Sequence, residues 1–181
     1  MIKYIKGDAT YPERVSPEGT KIIIHIVNDI GAWGAGFILT LDKRWSQPKA
    51  LYRSTFETYK TLGMTYVRPL GQVDIVRVDK EQDIYVVNLV GQTDTRPKRL
   101  EDVDVKSCLM SEVKDGLVMP VRYDAIYDGL LEMKRRLNQY RQYYSIHMPK
   151  IGSGLAGGNW LKIERIINEI FKENEVYVYE L

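Results

Sequence analysis

The chain has 181 residues, enough for a sizeable core without disulfide or metal staples. At 44% hydrophobic and 28% charged it reads as globular, not disordered. A net charge of +2 is too small for bulk attraction to nucleic acid, so an anionic small molecule has to be held by a local site. The one cysteine, Cys108, excludes an intrachain disulfide and fits a reducing compartment.

In chain order, residues 2–6 alternate apolar and charged side chains, the pattern of a half-buried strand and not of a signal peptide. Gly7-Asp8-Ala9-Thr10 breaks that strand. Residues 21–27 (KIIIHIV) are a β-branched apolar run suited to a strand buried on both faces. A glycine-rich loop, Gly31-Ala32-Trp33-Gly34-Ala35-Gly36, leads into a helix expected over 37–45. A second helix is expected over 48–62, with Pro48 in its first turn and Gly63 after its end. Residues 71–78 and 83–90 read as two strands joined by a charged turn. Residues 92–119 are polar and irregular, and read as a long loop or partly ordered insertion.

The spacing of Tyr123, Ile126, Tyr127, Leu130, Leu131 and Leu137 predicts a helix over about 122–142. A short strand follows at 145–151, then Gly152-Ser153-Gly154-Leu155-Ala156-Gly157-Gly158. Asn159 is placed to cap a helix with an apolar stripe at Ile163, Ile166, Ile167, Ile170 and Phe171. The last strand is expected over 176–181. No stretch approaches the roughly 20 apolar residues of a membrane span, and the expected setting is the cytoplasm, with no membrane partner. Strands alternating with helices imply an α/β sandwich whose ligands sit beyond the carboxyl ends of the strands.

Both glycine loops follow a strand and precede a helix, so both belong on that rim. Glycine lets the backbone approach a ligand closely, and its N–H groups cradle an anion without needing lysine. The bland alternative for either loop is a flexible turn. Neither is a P-loop, because no GKS or GKT ending is present. The G-x-G-x-x-G pattern is also missing after the first strand.

Taken jointly, the motifs resemble the macrodomain family, in the branch that processes ADP-ribose-1''-phosphate. They are Gly7-Asp8-Ala9-Thr10, then His25-Ile26-Val27-Asn28 running into the 31–36 loop, then Met148-Pro149-Lys150-Ile151 with the 152–158 loop, and the ending Val178-Tyr179-Glu180-Leu181. The resemblance covers nearly the whole chain and is weakest over 92–119. It implies a single macrodomain over 1–181, a three-layer α/β/α sandwich with a mixed, largely parallel sheet.

The resemblance also implies site residues. Asp8, beside Ala9, would accept from the adenine amino group; a turn-capping aspartate is the alternative. Tyr179 would stack on adenine, or else pack in the core. Gly31, Ala32, Trp33, Gly34, Ala35, Gly36 and Phe37 would wrap the distal ribose and diphosphate, with Trp33 as a wall beside the sugar. Asn28 would hydrogen-bond that ribose or position a water. Gly152, Ser153, Gly154, Leu155, Ala156 and Gly157 would present N–H groups to the diphosphate. His25 is the candidate general acid or base, with Asn28 assisting, against the alternative of a structural histidine in an apolar strand. His147 has no obvious partner in the sequence. No spacing suggests a metal site, and no cofactor is implied.

The expected function is binding of ADP-ribose or ADP-ribose-1''-phosphate, with hydrolysis of the terminal phosphate, by a monomer. The alternatives are a non-catalytic reader of ADP-ribose or ADP-ribosylated macromolecules, and an ADP-ribosyl hydrolase. The last is disfavoured, because the positions where related hydrolases carry asparagine and aspartate hold Gly31 and Ala156, and the strand position of their lysine falls near Val90, without a lysine. The basic pairs Lys98-Arg99 and Arg135-Arg136 read as solvated faces.

Overall fold

The computed structural model describes residues 1–104, 110–140 and 143–180. Cys108, part of the 92–119 segment, the last two residues of the helix expected over 122–142, and Leu181 lie outside them.

Six strands form one sheet in the order β1-β9-β8-β2-β4-β3. They are β1 (Ile2–Lys6), β2 (Thr20–Asn28), β3 (Val73–Asp79), β4 (Ile84–Gln92), β8 (Tyr144–Pro149) and β9 (Glu175–Glu180). Every pairing is parallel except β3 with β4, the hairpin foreseen from its charged turn. The central strand β2 is buried almost throughout, as its β-branched run predicts.

Strand alternation sorts the core into two layers of contact. Ile22 and Ile24 face one way, together with Val87, Leu89, Ile146, Met148, Val176 and Val178. Two amphipathic helices cover that face: α3 (Tyr123–Tyr140) through Ile126, Leu130 and Met133, and α4 (Trp160–Ile170) through Ile163 and Ile167. Ile23 and Val27 face the other way, under α1 (Phe37–Asp42) and α2 (Gln47–Thr61), which contribute Leu41, Ile38 and Tyr52. The result is a three-layer α/β/α sandwich with a mixed, largely parallel sheet.

Some boundaries differ from expectation. The first helix stops at Asp42 and not at residue 45, and Trp45 beyond it tucks into the core with Ile23 and Leu41. A 3-10 turn at Pro12–Arg14 was not foreseen. Residues 92–119 carry the short strands β5 (Lys98–Arg99), β6 (Val113–Lys114) and β7 (Leu117–Val118), a small antiparallel sheet of order β5-β7-β6, and a 3-10 turn at Leu100–Asp102. That segment is tied down near α4: Glu112 meets the Tyr123 hydroxyl and, at 3.0 Å, Lys162.

Because β1, β2, β4, β8 and β9 run parallel, their carboxyl ends share one rim. The turn after β1, the loop after β2 and the loop after β8 therefore converge there.

Candidate functional site

The loop after β2 is shaped from within. The Asn28 Nδ2 donates to the Ala32 carbonyl at 2.7 Å, while its Oδ1 accepts from the Ile30 and Ala32 amides at 3.1 and 3.0 Å. Tyr52, fully buried on α2, donates to the Asn28 carbonyl at 2.6 Å and accepts from the Gly31 amide at 3.1 Å. Burial pushes the Tyr52 phenol well above its ordinary range, so it stays protonated and able to donate. Gly31 has φ +81°, and a β-carbon there would lie 2.8 Å from the Phe56 ring. Only glycine fits.

The result is an arch whose crown is exposed at Gly34, Ala35 and Gly36. The amides of those three residues find no acceptor among the described residues.

The loop after β8 complements it. Gly157 closes a turn onto the Gly154 carbonyl at 2.9 Å, and Gly158 donates to the Gly152 carbonyl at 2.8 Å. Asn159 caps α4 by accepting from the Leu161 amide at 3.0 Å. The amides of Gly154, Leu155 and Ala156 are left without an acceptor among the described residues. A β-carbon on Gly154 would meet nothing within 4 Å, whereas one on Gly36 would lie 3.7 Å from Leu155 Cδ1. The two glycine loops thus face each other, with unpaired N–H groups on both. Such a pair of backbone cradles suits an anion that is gripped from two sides.

At the β1 end, Asp8 Oδ1 accepts from both the amide and the hydroxyl of Thr10 at 2.9 Å. The capping role is therefore real, and it uses one oxygen, leaving Oδ2 without a hydrogen bond among the described residues. Ala9, Tyr179 and the half-buried Phe37 share one apolar cluster. Tyr179 is only 6% exposed and its hydroxyl lies 2.7 Å from His147 Nδ1. His147 also meets Ser145 Oγ at 2.8 Å through Nε2 and stacks on Tyr177, so it has the partners its sequence context did not reveal.

His25 sits lower on β2. It is 2% exposed, beneath Trp33 and Phe37, with ring centroids 5.6 and 6.2 Å away. Its Nε2 lies 2.6 Å from Asn88 Oδ1. Asn88 Nδ2 donates to the Pro48 carbonyl at 2.9 Å, which makes Oδ1 the acceptor and His25 Nε2 the donor. Nδ1 has no hydrogen bond among the described residues. Burial lowers the imidazole to about 4, so it is neutral at physiological pH. Trp33 turns inward: it is 9% exposed, donates through Nε1 to Asp42 at 3.1 Å and packs on Tyr52.

The structure thus brings Gly34, Ala35, Gly36, Gly154, Leu155, Ala156 and the free oxygen of Asp8 to one rim. Gly152, Ser153 and Gly157 shape the second loop; Ser153 Oγ donates to the Lys150 carbonyl at 2.8 Å. It places His25, Trp33 and the Asn28 side chain inside the protein. Tyr52 and Asn88 lie outside the motifs that carry the resemblance. Asn88, a lone amide inside the apolar run of β4, carried a visible signal; Tyr52, an aromatic on a helix, did not. Arg135 and Arg136 pair with Glu132 at 2.8 and 2.6 Å on the surface. Among the described residues no group of three or more His, Cys, Asp or Glu could hold a metal ion, and no helix is long and apolar enough to cross a membrane.

No family model matches the chain. Among curated proteins, it is 28% identical over 171 residues to Chromodomain-helicase-DNA-binding protein 1-like of Danio rerio, matching 93% of this chain but spanning only 14% of that protein's length. It is 26% identical to ADP-ribose 1''-phosphate phosphatase of Debaryomyces hansenii over 184 residues, 99% of this chain and 98% of that one. Among solved structures, a macrodomain protein from Streptomyces coelicolor superposes with a TM-score of 0.70 at 33% identity, covering 100% of this chain and 99% of the other. With a third of its residues shared over the full length of that fold, and two glycine loops meeting at the rim, the chain belongs to the macrodomain family.

Proposed function

We propose that the chain binds ADP-ribose through its rim and hydrolyses the terminal phosphate of ADP-ribose-1''-phosphate. The observation that carries the binding half is the pair of facing loops, whose amides at 34–36 and 154–156 find no acceptor among the described residues. A diphosphate carries oxygens on both sides of its bridge and accepts from both rows of donors. Asp8 Oδ2 is an acceptor for the adenine amino group, and the Ala9, Phe37 and Tyr179 cluster lies beside it.

The phosphatase half is supported by the full-length likeness to the Debaryomyces hansenii phosphatase. In that reaction a water attacks phosphorus, the bond to the anomeric oxygen breaks, and phosphate and ADP-ribose leave. The neutral His25 is the histidine available to assist, which requires Trp33 and Phe37 to part from above it.

A second reading, a reader that binds without turnover, is favoured by that burial of His25 and by the engagement of Asn28 with its own loop. Phosphate release from ADP-ribose-1''-phosphate by the purified chain separates the two. Release that His25→Ala abolishes while ADP-ribose affinity persists supports the phosphatase. Absence of release at saturating ligand leaves the reader.

A further inference from the structure

We infer that Glu112, within the 92–119 insertion, is a positioning residue for ADP-ribose: it acts through Tyr123 from behind the second glycine loop and holds that loop in its binding shape. This rests on the reading of the rim as an ADP-ribose site.

The argument starts at the helix that follows the loop. Asn159, the N-cap of α4, accepts from the Leu161 amide, but its own N–H also needs a partner. In a capping box the third helical residue is Glu or Gln and accepts that proton. Here the third residue is Lys162, which can only donate. Tyr123 takes the missing part. Its hydroxyl accepts from the Asn159 amide at 2.9 Å and donates to Glu112 Oε2. The same carboxylate oxygen accepts from Lys162 at 3.0 Å. Burial raises the Tyr123 phenol to about 12, so it keeps the proton that it donates. Two side chains distant from α4 in sequence thus replace one within it.

The stretch that joins these two residues also grips the body of the loop. The Val121 amide donates to the Ala156 carbonyl at 3.0 Å. Met119 packs over Gly157, where φ is +71° and a β-carbon would lie 2.5 Å from Met119 Sδ. On its other side the stretch is bonded to the end of β4: the Arg122 amide donates to the Gly91 carbonyl and the Thr93 amide to the Pro120 carbonyl, both at 2.9 Å. Glu112 belongs to the same assembly, because its carbonyl accepts from the Met119 amide at 2.8 Å. The position of Ala156 is therefore referred to β4 through Val121, and the entry of α4 is set by Glu112 and Tyr123. Loss of the Glu112 carboxylate removes the acceptor for both Tyr123 and Lys162 and loosens the loop ahead of Asn159, while every amide at 154–156 remains in place.

Calorimetric titration of ADP-ribose into the full chain, with amide hydrogen exchange of Asn159 in the ligand-free protein, tests this. Glu112→Ala is expected to weaken ADP-ribose about tenfold and to speed Asn159 exchange about tenfold. Tyr123→Phe does the same. The double variant also loses about tenfold, and not the hundredfold product, because the two residues act in one chain of bonds. Glu112→Gln keeps an oxygen for Tyr123 and restores affinity to within about threefold of the parent. Arg99→Ala, which breaks the exposed pair with Glu101 in the same insertion, changes neither affinity nor exchange. Cooperative thermal unfolding of every variant, close to that of the parent, shows that the fold persists. Parent-like affinity in Glu112→Ala, losses that multiply in the double variant, or an equal loss in Arg99→Ala overturns the positioning role. Failure of the parent itself to bind ADP-ribose removes the reading of the rim instead, and exchange then decides whether Glu112 braces the loop: faster Asn159 exchange in Glu112→Ala upholds the brace, and unchanged exchange overturns it.

Discussion

Asn28 and Ala32 are joined in both directions: the side-chain amide donates to the Ala32 carbonyl at 2.7 Å, and its oxygen accepts from the Ala32 N–H at 3.0 Å. One side chain therefore templates the arch that exposes Gly34 to Gly36. Asn28→Asp keeps the acceptor and removes the donor, setting a carboxylate against a carbonyl. It is expected to weaken ADP-ribose binding by about 1–3 kcal/mol and to lower the melting temperature by a few degrees. Calorimetry and thermal unfolding on the same preparation check both. An unchanged affinity would mean the arch holds without its template.

The glycines separate into those the fold requires and those the ligand requires. Gly154 has open space around it, so Gly154→Val leaves stability within about 1 kcal/mol and abolishes ADP-ribose binding by placing a branched side chain over the cradle. Gly31→Ala does the reverse first. It forces a methyl into the Phe56 ring at φ +81°, and is expected to cost about 1–3 kcal/mol of stability. Urea unfolding ranks the two, and equal destabilisation would contradict the assignment.

Asp8 is expected to read adenine with the oxygen that Thr10 does not use. Asp8→Ala then weakens ADP-ribose by about 1–3 kcal/mol and leaves ribose 5-phosphate, which lacks the base, nearly unaffected. A parallel loss for both ligands would point to a collapsed turn.

Stability should depend on acid through two buried histidines. Burial lowers His25 to about 4 and His147 to about 3, against 6.5 for the free side chain. Between those folded values and 6.5 the unfolded chain binds more protons than the folded one. Their contribution is therefore complete above pH 6.5 and falls away as pH drops toward 4 and 3, by about 1.4 kcal/mol per pH unit for each histidine well inside its window. Urea midpoints at pH 7 and pH 5 measure the slope. His25→Gln, which keeps a donor for Asn88, should flatten it, and an unchanged slope would mean that His25 already titrates normally.

Much of this was legible in the residues. The 21–27 run declared a strand buried on both faces, and the stripe from Ile163 to Ile170 declared α4 together with its Asn159 cap. The two glycine loops announced the rim because each sits between a strand and a helix. What was hidden depends on contacts distant in sequence. Nothing near Trp33 indicates that it turns inward onto Tyr52 and Asp42, nor near Tyr179 that its hydroxyl serves His147. Strand alternation raised the prospect that His25 faces inward, but only the register of β2 on β4 sets it beside Asn88. The short strands within 92–119 were invisible because two-residue strands have no period to read.

The most direct test of the central claim is calorimetric titration of ADP-ribose into the intact chain, with Gly154→Val as the control. One saturable site per chain is expected in the parent protein and none in the folded variant. Failure of the parent to bind, or equal binding by both, would contradict the assignment of the facing glycine loops as a diphosphate cradle.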